Sequence, residues 1–276
     1  SWGLEQSDGL CPAAPGSSHP ERLLDGCVLT LGVFLAVLGA AFLHALWNAL
    51  IKLGTSKVGG MVILSIVEVP IGLAVVAFAA PIDPAAIPWV IAAGCTHFAY
   101  KFFLTYAYDR GDLSRVYPIA RGAAPMVVAL VGALFLADAV SAQEYLAIGV
   151  LAGGILLMAR GVFTSGEDRR LLPFALGSAL ATATYTLIDG MGARVSGAPV
   201  AYVAWVFVAD GCFFTLGMVA LRGWDVIPRN WQAWRMGTLA SAASYGAYAV
   251  SIWAMTLAPI AVVAALRETS ILFAVL

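Results

Sequence analysis

The sequence predicts an all-α polytopic membrane protein built from two inverted five-helix repeats, of which the second is truncated. The first observation is composition: 61% of the 276 residues are hydrophobic, 11% are charged, and the mean hydropathy is +0.90. A soluble domain of this size needs far more charge to cover its surface. The second is grouping, because the apolar residues form blocks of roughly 20 residues, about the thickness of a bilayer. The third is a pattern that recurs in the second half of the chain.

Nine apolar blocks follow a polar amino-terminal segment. Residues 1–27 are rich in Gly, Pro and Ser, and we expect them to be a disordered or artefactual tail. Blocks 1 to 5 form a first repeat, 28–163, with helices predicted at 28–52, 59–80, 85–108, 115–137 and 143–161. Blocks 6 to 9 form a second repeat, 171–276, with helices predicted at 171–193, 199–221, 234–257 and 258–276. About nine helices of ten are therefore expected, in a truncated gene product or a true nine-helix protein.

The connections between the blocks are short, and they hold prolines or charged residues that explain where each block ends. Prolines separate blocks 2 and 3, the stretch DRGDLSR separates blocks 3 and 4, and RGVFTSGEDRR separates blocks 5 and 6. Pro228 lies between blocks 7 and 8, whereas blocks 8 and 9 are divided only by Leu257, Ala258 and Pro259. Proline cannot donate a backbone hydrogen bond, so it marks these boundaries.

Lysine and arginine in the connections predict the orientation of the chain. Ten of the fifteen lie in or beside the connections that follow blocks 1, 3, 5 and 7. The opposite connections hold Arg194, and the tail holds Arg22. The positive-inside rule therefore places the richer set in the cytoplasm and the amino terminus outside. The predicted location is the cytoplasmic (inner) cell membrane, crossed several times.

Four stretches of the first repeat align in order with four stretches of the second. HALWNALIKLG matches ATYTLIDGMG, SIVEVPIGLAVVAF matches FVADGCFFTLGMVAL, FAYKFFLTYAY matches GAYAVSIWAM, and PIARGAAPMVVAL matches AALRETSILFAVL. A five-helix unit has an odd number of spans, so its second copy is inverted in the membrane, as in many secondary transporters. The residues that this alignment pairs are Trp47 with Tyr185, Glu68 with Asp210, Tyr100 with Tyr248, and Arg121 with Arg267.

Residues 28–276 resemble the EamA-type transporters of the drug/metabolite transporter superfamily. The resemblance rests on HALWNALIK, YDRGDLSRVYPIARGAAPMVVAL, YTLIDGMGAR and APIAVVAALRETSILFAVL. It implies ten helices in two inverted repeats around a cavity lined mainly by helices 3, 4, 8 and 9. The chain is also similar to a subgroup linked to phosphonate utilisation. It departs from the family in its missing tenth helix, which in the family packs on helix 5 or on a partner chain.

Three basic residues lie inside predicted helices, where each charge costs about 3 kcal/mol on insertion scales. Arg121 in block 4 and Arg267 in block 9 are candidate substrate ligands, since guanidinium groups bind carboxylates and phosphonates bidentately. Related organophosphate carriers use basic residues in these two helices. The alternatives are that Arg267 pairs with Glu268 or Asp210, and that Arg121 extends to the cytoplasmic face. Lys101 either extends to the surface in the same way or contacts substrate or a carboxylate.

Acidic residues and histidines in the same blocks are candidates for proton coupling or charge pairing. Glu68, Asp210 and Glu268 could exchange protons or form ion pairs with the buried basic residues. His44 and His97 could relay protons, or could be hydrogen-bonded packing residues.

Aromatic residues provide candidate walls for a substrate cavity. Trp47, Tyr100 and Tyr248 are the favoured three, with ordinary core packing as the alternative. Gly149 and Gly153 in block 5 form a GxxxG pattern that predicts close helix packing.

These features predict a secondary transporter that moves a small polar or anionic metabolite by alternating access. The alternative is a non-transporting membrane scaffold or assembly subunit; an intramembrane enzyme is less favoured, because no Ser/His pair or HExxH pattern is present. No catalytic residue, cofactor or metal is expected, since the four cysteines lack metal-binding spacing. The expected partners are a small-molecule substrate and the lipid bilayer, with a homodimer left open. Nucleic acid is excluded because no basic patch exists.

Overall fold

The computed structural model describes residues 30–53, 56–108, 124–134, 140–164 and 171–275. Within these ranges the chain is helical and contains no strand, which confirms the all-α class for the described residues. Short 3-10 turns occupy Pro84–Ala86 and Trp224–Val226. The α-helices are α1 (Leu31–Leu53), α2 (Lys57–Phe78), α3 (Ile87–Tyr108), α4 (Ala124–Leu134), α5 (Ala142–Thr164), α6 (Leu171–Ser196), α7 (Pro199–Arg222), α8 (Trp231–Met255), α9 (Ile260–Arg267) and α10 (Ser270–Val275).

Blocks 1 to 3 and 5 to 8 agree with α1 to α3 and α5 to α8 to within a few residues. The predicted tail, 1–27, lies outside the described residues, as does the first part of block 4. Polar side chains explain several helix starts. Ser56 accepts a hydrogen bond from the Gly59 amide at 3.0 Å before α2, and Asn230 accepts one from the Ala233 amide at 2.7 Å before α8. Each bond satisfies an amide that has no partner within its helix.

Block 9 is divided into two helices, α9 and α10, whereas one continuous helix was predicted over 258–276. At the division, the amides of Glu268 and Thr269 bond to carbonyls three residues earlier, at 3.0 and 3.1 Å. Those of Ile271 and Leu272 do the same, at 3.1 and 2.9 Å. The Thr269 hydroxyl also donates to the Leu266 carbonyl at 2.6 Å. Bonds of this shorter span replace the α-helical ladder, so the chain tightens locally between the two helices.

Among the described residues, helices from the two halves of the chain pack against each other more extensively than helices within a half. The largest interfaces join α3 with α6, α2 with α7, and α1 with α8. The next largest join α3 with α7 and α2 with α8. The centre of the body therefore lies between α1, α2, α3, α6, α7 and α8.

Two glycines allow α2 and α7 to meet backbone to backbone. A Cβ atom added to Gly72 would lie 2.6 Å from the carbonyl oxygen of Ala204. One added to Gly211 would lie 2.5 Å from the carbonyl oxygen of Ser65. Such close approach requires residues without side chains, which is a common device where helices pack in a membrane.

The predicted close-packing pair in α5 behaves differently. A Cβ atom added to Gly149 or Gly153 would meet no atom of the described residues within 4 Å. The described residues therefore offer no partner for the GxxxG pattern, and close packing at these two glycines stays a prediction. Spacing alone does not show whether a second helix covers the small residues.

Large apolar side chains cover the outside of the helical body, and many polar side chains are buried inside it. Leu35, Leu73, Phe78 and Leu216 are exposed, whereas Glu68 and similar polar residues are enclosed. This distribution is the reverse of that in a soluble protein. Three of the described helices are long and apolar enough to cross a membrane, over Leu31–Ile51, Lys57–Phe78 and Pro199–Arg222.

Candidate functional site

A cavity of about 40 Å³ lies at the centre of the body, with room for a few water molecules. Its walls come from the middle portions of α1, α2, α3, α6, α7 and α8, so both halves of the chain contribute. Five of the lining side chains are ionisable: His44, Glu68, His97, Lys101 and Asp210. Five are aromatic: Trp47, Tyr100, Tyr185, Phe207 and Tyr248.

Lys101 lies between two carboxylates that belong to different halves of the chain. Its Nζ is 2.6 Å from Glu68 Oε2 on α2 and 2.5 Å from Asp210 Oδ2 on α7. It also donates a hydrogen bond to Ser65 Oγ at 2.8 Å and lies 5.7 Å from the centre of the Phe214 ring. The Lys101 side chain is 6% exposed, so it forms ion pairs within the protein and does not extend to the surface.

Two carboxyl groups therefore share the single ammonium group of Lys101. The second carboxylate oxygen of Asp210, Oδ1, accepts no hydrogen bond from the described residues, although Asp210 is only 2% exposed. A buried polar atom without a partner is costly, so this oxygen marks a place for a further donor.

A second cluster is built around Asp189 of α6, which is completely buried. His97 Nε2 lies 2.7 Å from Asp189 Oδ2, Tyr202 donates to Oδ1 at 3.2 Å, and the Tyr248 hydroxyl also donates to Oδ2. A proton on Nε2 would be donated to this carboxylate oxygen, so the contact favours the tautomer with the proton on Nε2. Tyr185 stacks on the His97 ring, with 4.2 Å between ring centres. Four helices are joined through this one carboxylate.

A third set of contacts lies at the α1 wall of the cavity. Trp47 Nε1 donates to His44 Nδ1 at 3.2 Å, and the two rings meet edge to face. A nitrogen that accepts a hydrogen bond bears no proton, so Nδ1 is unprotonated in this contact. Asn48 donates to the His44 carbonyl at 2.8 Å. These bonds give the Trp47 ring a defined position.

Arg267 is buried beside the cavity, against two of its aromatic walls. Its Nη2 donates to Thr186 Oγ1 at 3.2 Å and lies 3.9 Å from Glu268 Oε1. Its Cζ is 5.8 Å from the centres of both the Tyr185 and Tyr248 rings. Arg267 and Glu268 do not line the cavity of the described residues.

Most of the predicted site residues meet at this cavity. Eight of them line it: His44, Trp47, Glu68, His97, Tyr100, Lys101, Asp210 and Tyr248. Arg121 lies outside the described residues. Of the two carboxylates named as alternative partners of Arg267, Glu268 lies 3.9 Å from its Nη2, whereas Asp210 pairs with Lys101. The lining also differs from what the family resemblance implies, since α1, α2, α6 and α7 contribute besides α3 and α8.

Asp189 is the principal residue that the sequence analysis missed. It lies in the stretch YTLIDGMGAR, which was used only for alignment and family resemblance. A carboxylate in the middle of an apolar block is itself a functional signal, because burial of a charge requires compensation. That rule, applied to every ionisable residue of the blocks, would have identified Asp189. Within the described ranges, no three His, Cys, Asp or Glu side chains come together to hold a metal ion.

Comparison with known proteins defines the fold and no more. No protein-family model matches the chain, and no curated protein matches it. One solved structure, described as "Crystal structure of protein", superposes with a TM-score of 0.61 at 16% sequence identity. The match covers 88% of this chain and 84% of that one. At this identity the likeness shows a shared fold alone.

Proposed function

We propose that the chain is a secondary transporter that moves a small polar or anionic metabolite across the cytoplasmic membrane by alternating access. The observation that carries the proposal is the central cavity, which both halves of the chain line with ionisable and aromatic side chains. Transporters of this type place their substrate near the bilayer midplane, at the interface between two repeats. Ionisable residues at that depth are costly and therefore suggest a function.

The pattern of helix interfaces supports two inverted repeats. When α1, α2 and α3 are exchanged with α6, α7 and α8, the interface of α1 with α8 becomes that of α6 with α3. The interface of α2 with α7 becomes itself, and that of α3 with α7 becomes that of α8 with α2. All of these are among the largest interfaces in the described residues. A pseudo-two-fold axis that relates the two repeats would produce this pattern of interfaces.

The crossing of α2 and α7 gives the same symmetry at the level of single residues. Gly72 approaches Ala204 and Val208, whereas Gly211 approaches Ser65 and Val69. Gly72 and Gly211, Ser65 and Ala204, and Val69 and Val208 are pairs with the same separation in sequence. This register differs by three residues from the one that the sequence alignment predicts. Glu68 then corresponds to Phe207 rather than to Asp210, so the two carboxylates lie one helical turn apart in the repeats.

Three parts of the proposal rest on the sequence alone. The chain is an EamA-type transporter, it has about nine membrane spans, and its amino terminus lies outside the cell. An anionic substrate is supported by Arg267, which lies against two aromatic walls of the cavity. Arg121 would provide the second guanidinium. The competing proposal, a scaffold, requires a packed centre with every buried charge compensated, and the central cavity argues against it.

Two serines of α8 provide a test of alternating access that needs no knowledge of the substrate. Ser244 lines the cavity, whereas Ser241, on the same helix, is completely buried and does not line it. Each is changed to cysteine in a chain whose native cysteines have been replaced by alanine. A membrane-impermeant thiol reagent is then added to right-side-out and to inverted membrane vesicles.

We expect the Ser244→Cys variant to be labelled in both kinds of vesicle and the Ser241→Cys variant in neither. Vesicles must stay impermeable to the reagent, which excludes a permanently open pore. If the Ser244→Cys variant is labelled in neither kind, the centre is packed and the scaffold is the better description. Labelling from one side alone would contradict alternating access.

A further inference from the structure

Three buried hydroxyl groups on α3 and α6 have no hydrogen-bond partner among the described residues. They belong to Thr105 on α3 and to Ser178 and Thr182 on α6. Thr105 and Thr182 are 1% exposed, and Ser178 is 0% exposed. A serine or threonine inside a helix can satisfy its hydroxyl at the carbonyl four residues earlier. Thr184 does so at the Leu180 carbonyl, 2.8 Å away, whereas the three buried hydroxyls do not.

All three hydroxyls lie between the central cavity and the end of the body where α3 ends and α6 begins. On α6, Thr182 and Ser178 precede Tyr185, a residue of the cavity wall, by three and seven positions. That spacing places them on the same face of the helix as Tyr185. On α3, Thr105 follows Lys101 by four positions and shares its face. The polar lining of the cavity therefore continues toward this end on both helices.

Ring contacts between α3 and α6 show how the two helices are aligned. Tyr100 meets Tyr185 with 5.4 Å between ring centres, and Tyr106 stacks on Phe174 at 5.8 Å. The helices are therefore antiparallel, and the hydroxyl on α3 lies at about the level of the two on α6. Seven residues of helix span about 10 Å, so the three hydroxyls extend about that far beyond the cavity wall.

Water is the ligand that fits these groups. An unbonded hydroxyl in a buried place costs free energy, and a bound water molecule removes the cost because it can both donate and accept. Successive hydroxyls on one helix face can satisfy a short chain of water molecules. Thr215 and Ser241 also have unbonded hydroxyls, but each is the single one on its helix, and an isolated hydroxyl gives no path.

We infer that water occupies the space beside Thr105, Ser178 and Thr182 and connects the cavity with the end of the body where α6 begins. The positive-inside count places that end in the cytoplasm. The hydration follows from the hydroxyl groups, whereas its role as the cytoplasmic half of an access route rests on the proposed transport function. On the other side of the cavity, Ser196 and Ser251 donate to carbonyls of their own helices at 2.7 and 2.8 Å. Hydroxyls on that side need no water.

Cysteine labelling in the two kinds of vesicle tests this path. Thr182→Cys and Thr184→Cys, in the chain without native cysteines, are a matched pair two residues apart on α6. Thr184 is partly exposed on the outside of the body, so its replacement faces lipid. Asp225→Cys identifies the side, because Asp225 follows α7 at the end where α6 begins and its side chain is 97% exposed. A thiol reacts as the thiolate, so an impermeant reagent labels a hydrated cysteine and not one in lipid or in a dry interior.

We expect Thr182→Cys to be labelled in the vesicles that label Asp225→Cys and not in the others. Thr184→Cys should be labelled in neither. No labelling of Thr182→Cys from the Asp225 side, or equal labelling of the two threonine variants, would overturn the inference.

Thermal unfolding of two valine variants gives a second measurement that needs no cysteine. Valine has the shape of threonine without the hydroxyl. In a hydrated path, Thr182→Val loses hydrogen bonds to water, and we expect the Tm to fall by about 1–4 °C. In a dry interior the same change removes an unbonded polar group and raises the Tm. Thr184→Val is the control and should change the Tm little, and a rise for Thr182→Val would contradict the hydration.

Failure of the transport proposal gives a different result. If Ser244→Cys is labelled from both sides and Thr182→Cys from neither, alternating access stands and the inferred path is wrong. If Thr182→Cys is labelled from the Asp225 side and Ser244→Cys from that side alone, the hydrated path stands and alternating access is wrong.

Discussion

Replacement of Lys101 by methionine is the most direct test of the central ion-pair cluster. Methionine has a similar length and no charge, so Glu68 and Asp210 lose their shared cation while the packing changes little. Their side chains are 1% and 3% exposed, and water therefore does not replace the ammonium. Removal of one partner from a buried ion pair costs about 3–5 kcal/mol. For a chain of this size that corresponds to a fall in Tm of about 6–20 °C.

Thermal unfolding in detergent, followed by tryptophan fluorescence, measures this change. A triple variant that adds Glu68→Gln and Asp210→Asn to Lys101→Met removes all three charges and should recover more than half of the loss. Arg229→Met is the control, because Arg229 and Asp225 lie 3.7 Å apart with side chains 89% and 97% exposed. Exposed pairs of this kind contribute little. A fall below about 2 °C for Lys101→Met, or no recovery in the triple variant, would refute the reasoning.

Two further predictions concern packing and the Asp189 cluster. Gly72→Ala and Gly211→Ala place a methyl group 2.6 and 2.5 Å from backbone oxygens, so each should lower the free energy of unfolding by about 1–3 kcal/mol. Gly39→Ala, with no atom within 4 Å, should leave it unchanged or raise it, and equal effects at all three sites would contradict the α2–α7 crossing. Asp189→Asn should cost about 1.5–3 kcal/mol and Tyr202→Phe about 1 kcal/mol, both measured by thermal unfolding. A larger loss for the tyrosine change would show that Asp189 is not the centre of the cluster.

Helix positions are the part of the fold that the sequence predicts well. Bilayer-length apolar blocks and the prolines between them locate α2 and α7 to within a few residues, because both signals are local. The division of block 9 into two helices has no such local signal in the sequence. Glu268 and Thr269 are compatible with a continuous helix, and no proline or glycine marks the place. The change to shorter hydrogen bonds there depends on the surrounding structure.

Site residues could be predicted as a set, but their partners could not. An ionisable residue in an apolar block is unusual enough to identify Glu68, Lys101 and Asp210 individually. Which of them meet depends on the depth and rotation of three helices, and a shift of three residues in the repeat register changes the answer. The sequence alignment pairs Glu68 with Asp210, whereas the register that we propose from the contacts at Gly72 and Gly211 pairs it with Phe207. The shared use of Lys101 by both carboxylates therefore requires the three-dimensional structure.

The Lys101 cluster also has a consequence for biosynthesis. Glu68, Lys101 and Asp210 leave the ribosome in that order, on α2, α3 and α7. Each charge raises the free energy of inserting its own helix by about 2.5–3.5 kcal/mol. Helix α2 is apolar enough to cross a membrane with its glutamate, and α3 is not among the helices that meet this condition. If α3 crosses the membrane, as we propose, the nascent chain gains a Glu68–Lys101 pair when α3 joins α2, and this pair lowers the cost of inserting α3. Asp210 arrives last, with α7, when Lys101 is already in place to receive it.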